Sequence, residues 1–342
     1  MLGMSEHNEP ARSKGRVAFT PRLWRQAQAE NPLARFVPFS CLVSDHDVIT
    51  RGGDYLRVWQ LDGVPFECAD EALIAERHEA LCSLLRNLAG GQWAVWTHRL
   101  HRVVEDALEH PAAPGFARDL SMAYQASLGQ SRMMSNELYL TLVYRPDVSR
   151  VSRALQSTTR SRADIAAAQA DALRVMAERS ALVDRVLRGF GPRLLGVREQ
   201  ETPQKRRRYS EVAEFLGYLI NGSHRPIPLT RGPLFRILPT TRLTFGGDKL
   251  ELRSGTTQRF AALVDIKEYA DAVEPGILNA LLFEASEFIE TQSFSILPRR
   301  EAMRSLTLQR DQLIASDDVV TSQIAEMDVA LNELGDGQFC MG

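Results

Sequence analysis

Apolar and polar side chains alternate along residues 53–63, Gly-Asp-Tyr-Leu-Arg-Val-Trp-Gln-Leu-Asp-Gly. Tyr55, Arg57 and Trp59 point one way and Leu56, Val58 and Gln60 the other, with glycines at both ends. This period of two predicts a strand. Residues 47–50 form its hairpin partner across a turn at Arg51-Gly52-Gly53. The period then lengthens. Leu73, Ile74, Leu81, Leu84, Leu85 and Leu88 make one apolar stripe, opened by Asp70 as a cap and stopped by Gly90, which predicts a helix. Strands follow over 93–100 and 137–144, the second ended by Arg145-Pro146, with a weaker helix over 115–128 between them. Residues 163–187 carry apolar positions near every 3.6 and end at Gly189, a long helix, before a short strand at 193–197.

The polar run 199–208, ending in Lys205, Arg206, Arg207 and Arg208, is read as a solvated linker and as the best internal boundary. Ser210 caps a helix over 210–220. Four prolines make 225–239 irregular. A hairpin turns at Gly246-Gly247-Asp248, with strands over 241–245 and 249–252. Strands at 259–269 and 293–297, a helix at 276–290 and one long helix over 301–334 complete the pattern. The expected class is α+β, antiparallel sheets covered by helices. A flexible tail occupies 1–30, one subdomain 31–200 and a second 201–342. The two halves share an order of elements but little identity. That fits a duplicated unit, and it also fits what helix-covered antiparallel sheets generally look like, the reading preferred here.

Composition narrows the function. The 342 residues are 44% hydrophobic and 25% charged, so a large core needs no staples. With 41 basic against 43 acidic residues, no overall field steers the chain onto nucleic acid. Cys41, Cys68, Cys82 and Cys340 have no Cys-x-x-Cys spacing, which points to a reducing compartment. No apolar leader or 18-residue apolar run is present, so membrane association is expected to be peripheral.

Catalytic signatures are missing. No Gly-x-x-x-x-Gly-Lys-[Ser/Thr] loop occurs, and Gly246-Gly247-Asp248-Lys249 precedes a strand rather than a helix. Gly189-x-Gly191 lacks the third glycine of a dinucleotide fingerprint. His78 and Cys82 start like a zinc-protease helix but put Cys where the second His belongs. His98 and His101 face opposite ways on a strand and are read as solvent-facing. No catalytic, cofactor or metal residue is assigned. Two stretches carry a binding reading. Leu33, Phe36, Phe39 and Leu42 are apolar around the break at Pro38, and either bind a small membrane subunit or pack back on the first sheet. Lys205–Arg208 could meet anionic head groups or phosphates. Trp59, Trp93 and Trp96 are expected inside the first sheet, with an exposed aromatic patch as the alternative.

The strands at 53–63 and 92–99, the run Asn-Glu-Leu-Tyr-Leu-Thr-Leu-Val-Tyr-Arg-Pro at 136–146, the helix at 210–221 and the tail at 309–342 occur in an order that resembles the ATPases of type IV secretion and conjugation systems, the CagE/TrbE/VirB component family. The resemblance covers residues 36–342. It implies a cytoplasmic, oligomeric protein peripheral to the bacterial inner membrane, whose N-terminal region docks the motor on membrane subunits and on neighbouring protomers. ATP and magnesium are expected only in a nucleotide-binding domain beyond this chain, and the tail at 338–342 reads as an edge strand cut midway. No direct nucleic-acid contact is expected. The alternative is a nucleotide- or nucleic-acid-binding module of the same machine.

Overall fold

The computed structural model describes residues 32–65, 68–88, 91–104, 115–128, 133–146, 161–202, 205–266, 276–315, 321–335 and 340–341. The tail predicted for 1–30 lies outside them. So do Asp317-Asp318 of the predicted long helix and Gly90, the predicted helix stop.

One antiparallel sheet organises the molecule. Its strands are β1 (Phe39–Leu42), β2 (Asp47–Thr50), β3 (Tyr55–Leu61), β4 (Trp93–Val103), β5 (Met134–Tyr144), β6 (Pro192–Leu194), and two from late in the chain, β12 (Phe288–Leu297) and β13 (Cys340–Met341). The order is β1-β2-β3-β5-β4-β12-β13, and β6 flanks the end of β3. β4 and β5 pair over eleven residues, Trp93↔Tyr144 through Val103↔Met134. Gly53, at a φ of 92°, lets the β2–β3 turn close, with Thr50 N donating to Asp54 O at 2.8 Å.

Helices cover both faces. α1 (Glu71–Asn87) and α3 (Arg162–Val186) lie on one, and α4 (Glu211–Asn221) and the single turn α5 (Leu234–Ile237) on the other. The first face buries Trp59, Trp93, Val95 and Leu142 against Leu84, Leu88, Met176 and Val183. The second buries Leu56, Val58, Ala94 and Val143 against Val212, Phe215, Leu216 and Leu234. Alternation along each strand feeds both cores, as a sheet with two covered faces requires. The α+β class expected from the pattern is what the fold shows. The first tryptophan reading is also met: Trp59 and Trp93 are buried, and Trp96 packs on the second core.

Helix α2 (Phe116–Leu128) crosses between β4 and β5. A hairpin of β7 (Val197–Thr202) and β8 (Lys205–Ser210) precedes α4. A separate three-stranded sheet, order β11-β10-β9, comprises β9 (Arg242–Phe245), β10 (Leu250–Ser254) and β11 (Thr257–Ala261). Helices α6 (Arg299–Ala315) and α7 (Thr321–Gly335) link β12 to β13.

Five expectations are corrected. Residues 197–202 and 205–210 pair as a β-ribbon where a solvated linker is expected, with Glu199 opposite Arg208 and Arg206 reaching the same glutamate. The helix expected at 276–290 is a 3-10 turn, Asn279–Phe283, followed by β12, because Phe288, Glu290 and Gln292 alternate against β4. The strand at 259–269 is described as strand only as far as Ala261. The single helix at 301–334 is an antiparallel pair: Arg310 meets Asp328 at 3.1 Å and the Arg299 guanidinium donates to Gly335 O. Asp70 stands at the N-cap of α1 but its side chain makes no capping bond.

Candidate docking surfaces

Among the described residues no three His, Cys, Asp or Glu side chains come together as a metal site. His98 and His101 are both buried, which corrects their solvent-facing reading. β12, nearly two hundred residues later, closes over the edge of β4 on which they sit. His98 stacks edge-on to Phe215, and its Nδ1 lies 3.0 Å from Thr291 Oγ1. Burial pushes its pKa down to about 4. His101 Nε2 donates to Glu284 O at 2.8 Å, its Nδ1 lies 2.9 Å from Asn136 Oδ1, and its ring stacks on Phe288. These histidines fasten β12 and the turn before it. His78 Nε2 lies 3.7 Å from Cys82 Sγ on the surface of α1.

A cleft of about 220 Å³ opens between α4 and the sheet. Three ion pairs line it, Arg102–Glu137, Arg193–Glu211 and Arg198–Glu214. Tyr139 donates to Glu137 Oε2 at 2.8 Å. Burial, then Glu137, raises the Tyr139 phenol. Burial alone would raise the Glu211 carboxyl, but the Gly196 amide and the Arg193 guanidinium outweigh it and hold it below the usual range. Each glutamate already holds a guanidinium. The cleft is thus a fastening of α4 to the sheet rather than a set of poised acids and bases.

The front segment divides. Phe39 is buried in β1, Leu42 packs on the second core and Leu33 is half-buried in a 3-10 turn. Phe36 is exposed. In the basic run, Arg206 reaches Glu199 at 3.3 Å, and Arg208 reaches Asp45 at 3.2 Å and Glu199 at 3.7 Å. Arg207 is exposed, and the side chain of Lys205 lies outside the described residues.

The three-stranded sheet carries exposed apolar side chains that sequence reading did not single out. Arg259 and Asn221 help tie the three-stranded sheet to the core. Arg259 donates to Gly222 O and Asn221 O at the C-terminus of α4, at 2.7 and 2.8 Å. Asn221 donates to Gly217 O and Leu238 O and accepts from the amides of Thr240 and Thr241, using every hydrogen-bonding position of its amide. Beyond these ties Phe245 is 73% exposed, Phe260 64% and Val264 94%. Cross-strand pairing puts Phe245, Leu250 and Ala261 on one face and Phe260 on the other. Each face of this small sheet thus leaves an aromatic ring exposed. Helix α2 likewise exposes Phe116, Leu120 and Tyr124, four residues apart on one stripe. Among the described residues no helix is long and apolar enough to cross a membrane.

The described residues thus combine a well-packed double-faced sheet, ion pairs that fasten α4, and exposed apolar side chains. Residues 196–342 match the model of the CagE, TrbE, VirB family, component of type IV transporter system, and residues 46–151 match that of the type IV secretion system ATPase VirB4/TrbE, N-terminal domain. The chain belongs to this family and corresponds to the N-terminal part of its members. It is 35% identical over 319 residues to the type IV secretion system protein PtlC homolog of Bordetella bronchiseptica, covering 92% of this chain and 38% of that protein. It is 35% identical over 322 residues to the type IV secretion system protein virB4 of Brucella melitensis, covering 93% and 39%. With the protein virB4 of Agrobacterium tumefaciens it shares 28% identity over 310 residues, covering 90% and 38%. The chain thus spans well under half the length of these relatives.

Proposed function

We propose that this chain is the non-catalytic N-terminal module of a type IV secretion or conjugation ATPase. It docks the motor on the inner-membrane complex and shapes contacts between protomers, at the cytoplasmic face of the membrane. ATP and magnesium are handled by a nucleotide-binding domain outside these residues. Family membership supports a role in the secretion machinery. The observation that supports the docking role is the sheet β9–β11, tied to the core through Arg259 and Asn221, on which Phe245 and Phe260 stand exposed.

Docking is tested by substituting Phe245→Ser with Phe260→Ser and, separately, Phe36→Ser, and measuring co-purification with detergent-solubilised inner-membrane subunits. The double variant is expected to fold normally and to lose co-purification. Phe36→Ser reports the remaining contribution of the front segment. Undiminished co-purification by all variants would remove the docking role.

A further inference from the structure

The two edges of the main sheet are treated differently. β1 is four residues long, follows Pro38, and breaks register between Phe39 and Cys41. Leu234 and Phe235 of α5 join the core beside it. These are the ordinary protections of an exposed edge. β12 has none of them. It pairs with β4 through eight consecutive residues, Phe288↔His101 to Ser295↔Ala94, without a register break. It contains no proline, lysine or arginine, and its one charge, Glu290, is held by Arg99. On its outer side, among the described residues, β13 pairs with Leu297 and Ile296. Among the described residues positions 288–294 have no strand partner there, and Ile289, Thr291, Gln292 and Ser293 are exposed.

We propose that a second copy of this chain fills this edge, β12 against β12, antiparallel about a twofold axis through Thr291. A continuous sheet requires paired residues to share a face, so the axis passes through one residue. Centring on Glu290 sets two carboxylates directly opposite each other. Centring on Gln292 brings Phe288 opposite Ile296, which β13 already occupies. Centring on Thr291 avoids both. It places Phe288 opposite Phe294, Ile289 opposite Ser293 and Glu290 opposite Gln292, each pair occurring twice. The Gln292 amide, which donates to Glu290 of its own strand at 2.7 Å, can donate to the other copy's carboxylate as well. The aromatic cross-strand pair favours such a register.

This deepens the protomer-contact part of the function proposed above. Sedimentation equilibrium of the chain and two variants at exposed Gln292 tests it. Gln292→Lys sets a cation opposite Glu290 twice and is expected to tighten the dimer; Gln292→Glu sets like charges opposite twice and is expected to weaken it. Each change should be roughly two- to thirtyfold in the dimer dissociation constant, from two copies of one cross-strand pair. A monomer at every concentration reached, or a dimer that neither variant moves, overturns the proposal and leaves the edge to a strand of another polypeptide. The Phe245→Ser, Phe260→Ser protein is expected to dimerise unchanged, so failure of docking and failure of this contact read out separately.

Discussion

Asp47 and Arg57 are buried side by side, joined by two hydrogen bonds of 2.8 and 2.7 Å, with Ser44 Oγ donating to the same carboxylate at 2.6 Å. Removing one partner strands the other charge in a dry site. Asp47→Ala is expected to cost about 3–5 kcal/mol, read from the urea midpoint. His98 gives a pH signature. Its folded pKa, about 4, lies below the ordinary value near 6.5, so the unfolded chain binds the proton more tightly. Stability from this group is complete above pH 6.5 and is lost as pH falls toward 4, with a ceiling of about 3 kcal/mol. The denaturation midpoint of His98→Leu relative to that of the protein should rise as pH falls across this range. A constant gap between them would show that His98 does not titrate as its burial requires. Neither residue's role is legible locally. Strand alternation sends His98 and His101 to opposite faces but says nothing about what covers each face. The cover is Phe215 for one and Phe288 with Glu284 for the other.

At the scale of elements, α4 shows the sequence at its most informative. Ser210 accepts from the Ala213 amide at 3.2 Å and Gly222 closes the helix at a φ of 60°, both ordinary helix signals. Ser210→Ala is expected to destabilise the protein by about 1 kcal/mol, seen as a lower urea midpoint without change in dimerisation. The helices α6 and α7 show the opposite. A continuous apolar drift over 301–334 reads as one helix, yet Arg310 meeting Asp328, and Arg299 meeting Gly335, require the chain to turn back. Leu308, Ile314 and Val329 remain exposed on this pair. Amide exchange over α6 and α7 is therefore expected to be faster than in β4, whose neighbours cover it on both edges. Arg310→Glu, which opposes Asp328 with a like charge, should speed it further. Equal protection of the pair and of β4 in a monomeric sample would show that the helices are held as firmly as the core.

For the whole molecule, the main sheet takes strands from both ends of the chain, so β12 and β13 lie beside β4 although they fall past residue 201. The protein is expected to release no phosphate from ATP. A thermal-shift titration with magnesium and ATP should leave its melting temperature unmoved, since a ligand that binds the folded state stabilises it by mass action. A saturable upward shift would favour the nucleotide-binding alternative.

Alternation and helical period by themselves determined strands at 47–50, 53–61, 93–100 and 137–144, the helices α1, α3 and α4, and the α+β class. Each is a local pattern that any burying surface would read the same way. The sequence also carried the motifs that resemble the secretion ATPases. Only the tertiary structure decided which strands became neighbours, that the run ending in Lys205–Arg208 is half of a ribbon, that 276–290 yields a turn and a strand, and that Phe39 is buried while Phe245 and Phe260 are bare. Those outcomes depend on pairings between residues far apart in the chain, such as Thr291 with His98 and Arg259 with Asn221, and a period along one segment carries no record of its distant partner.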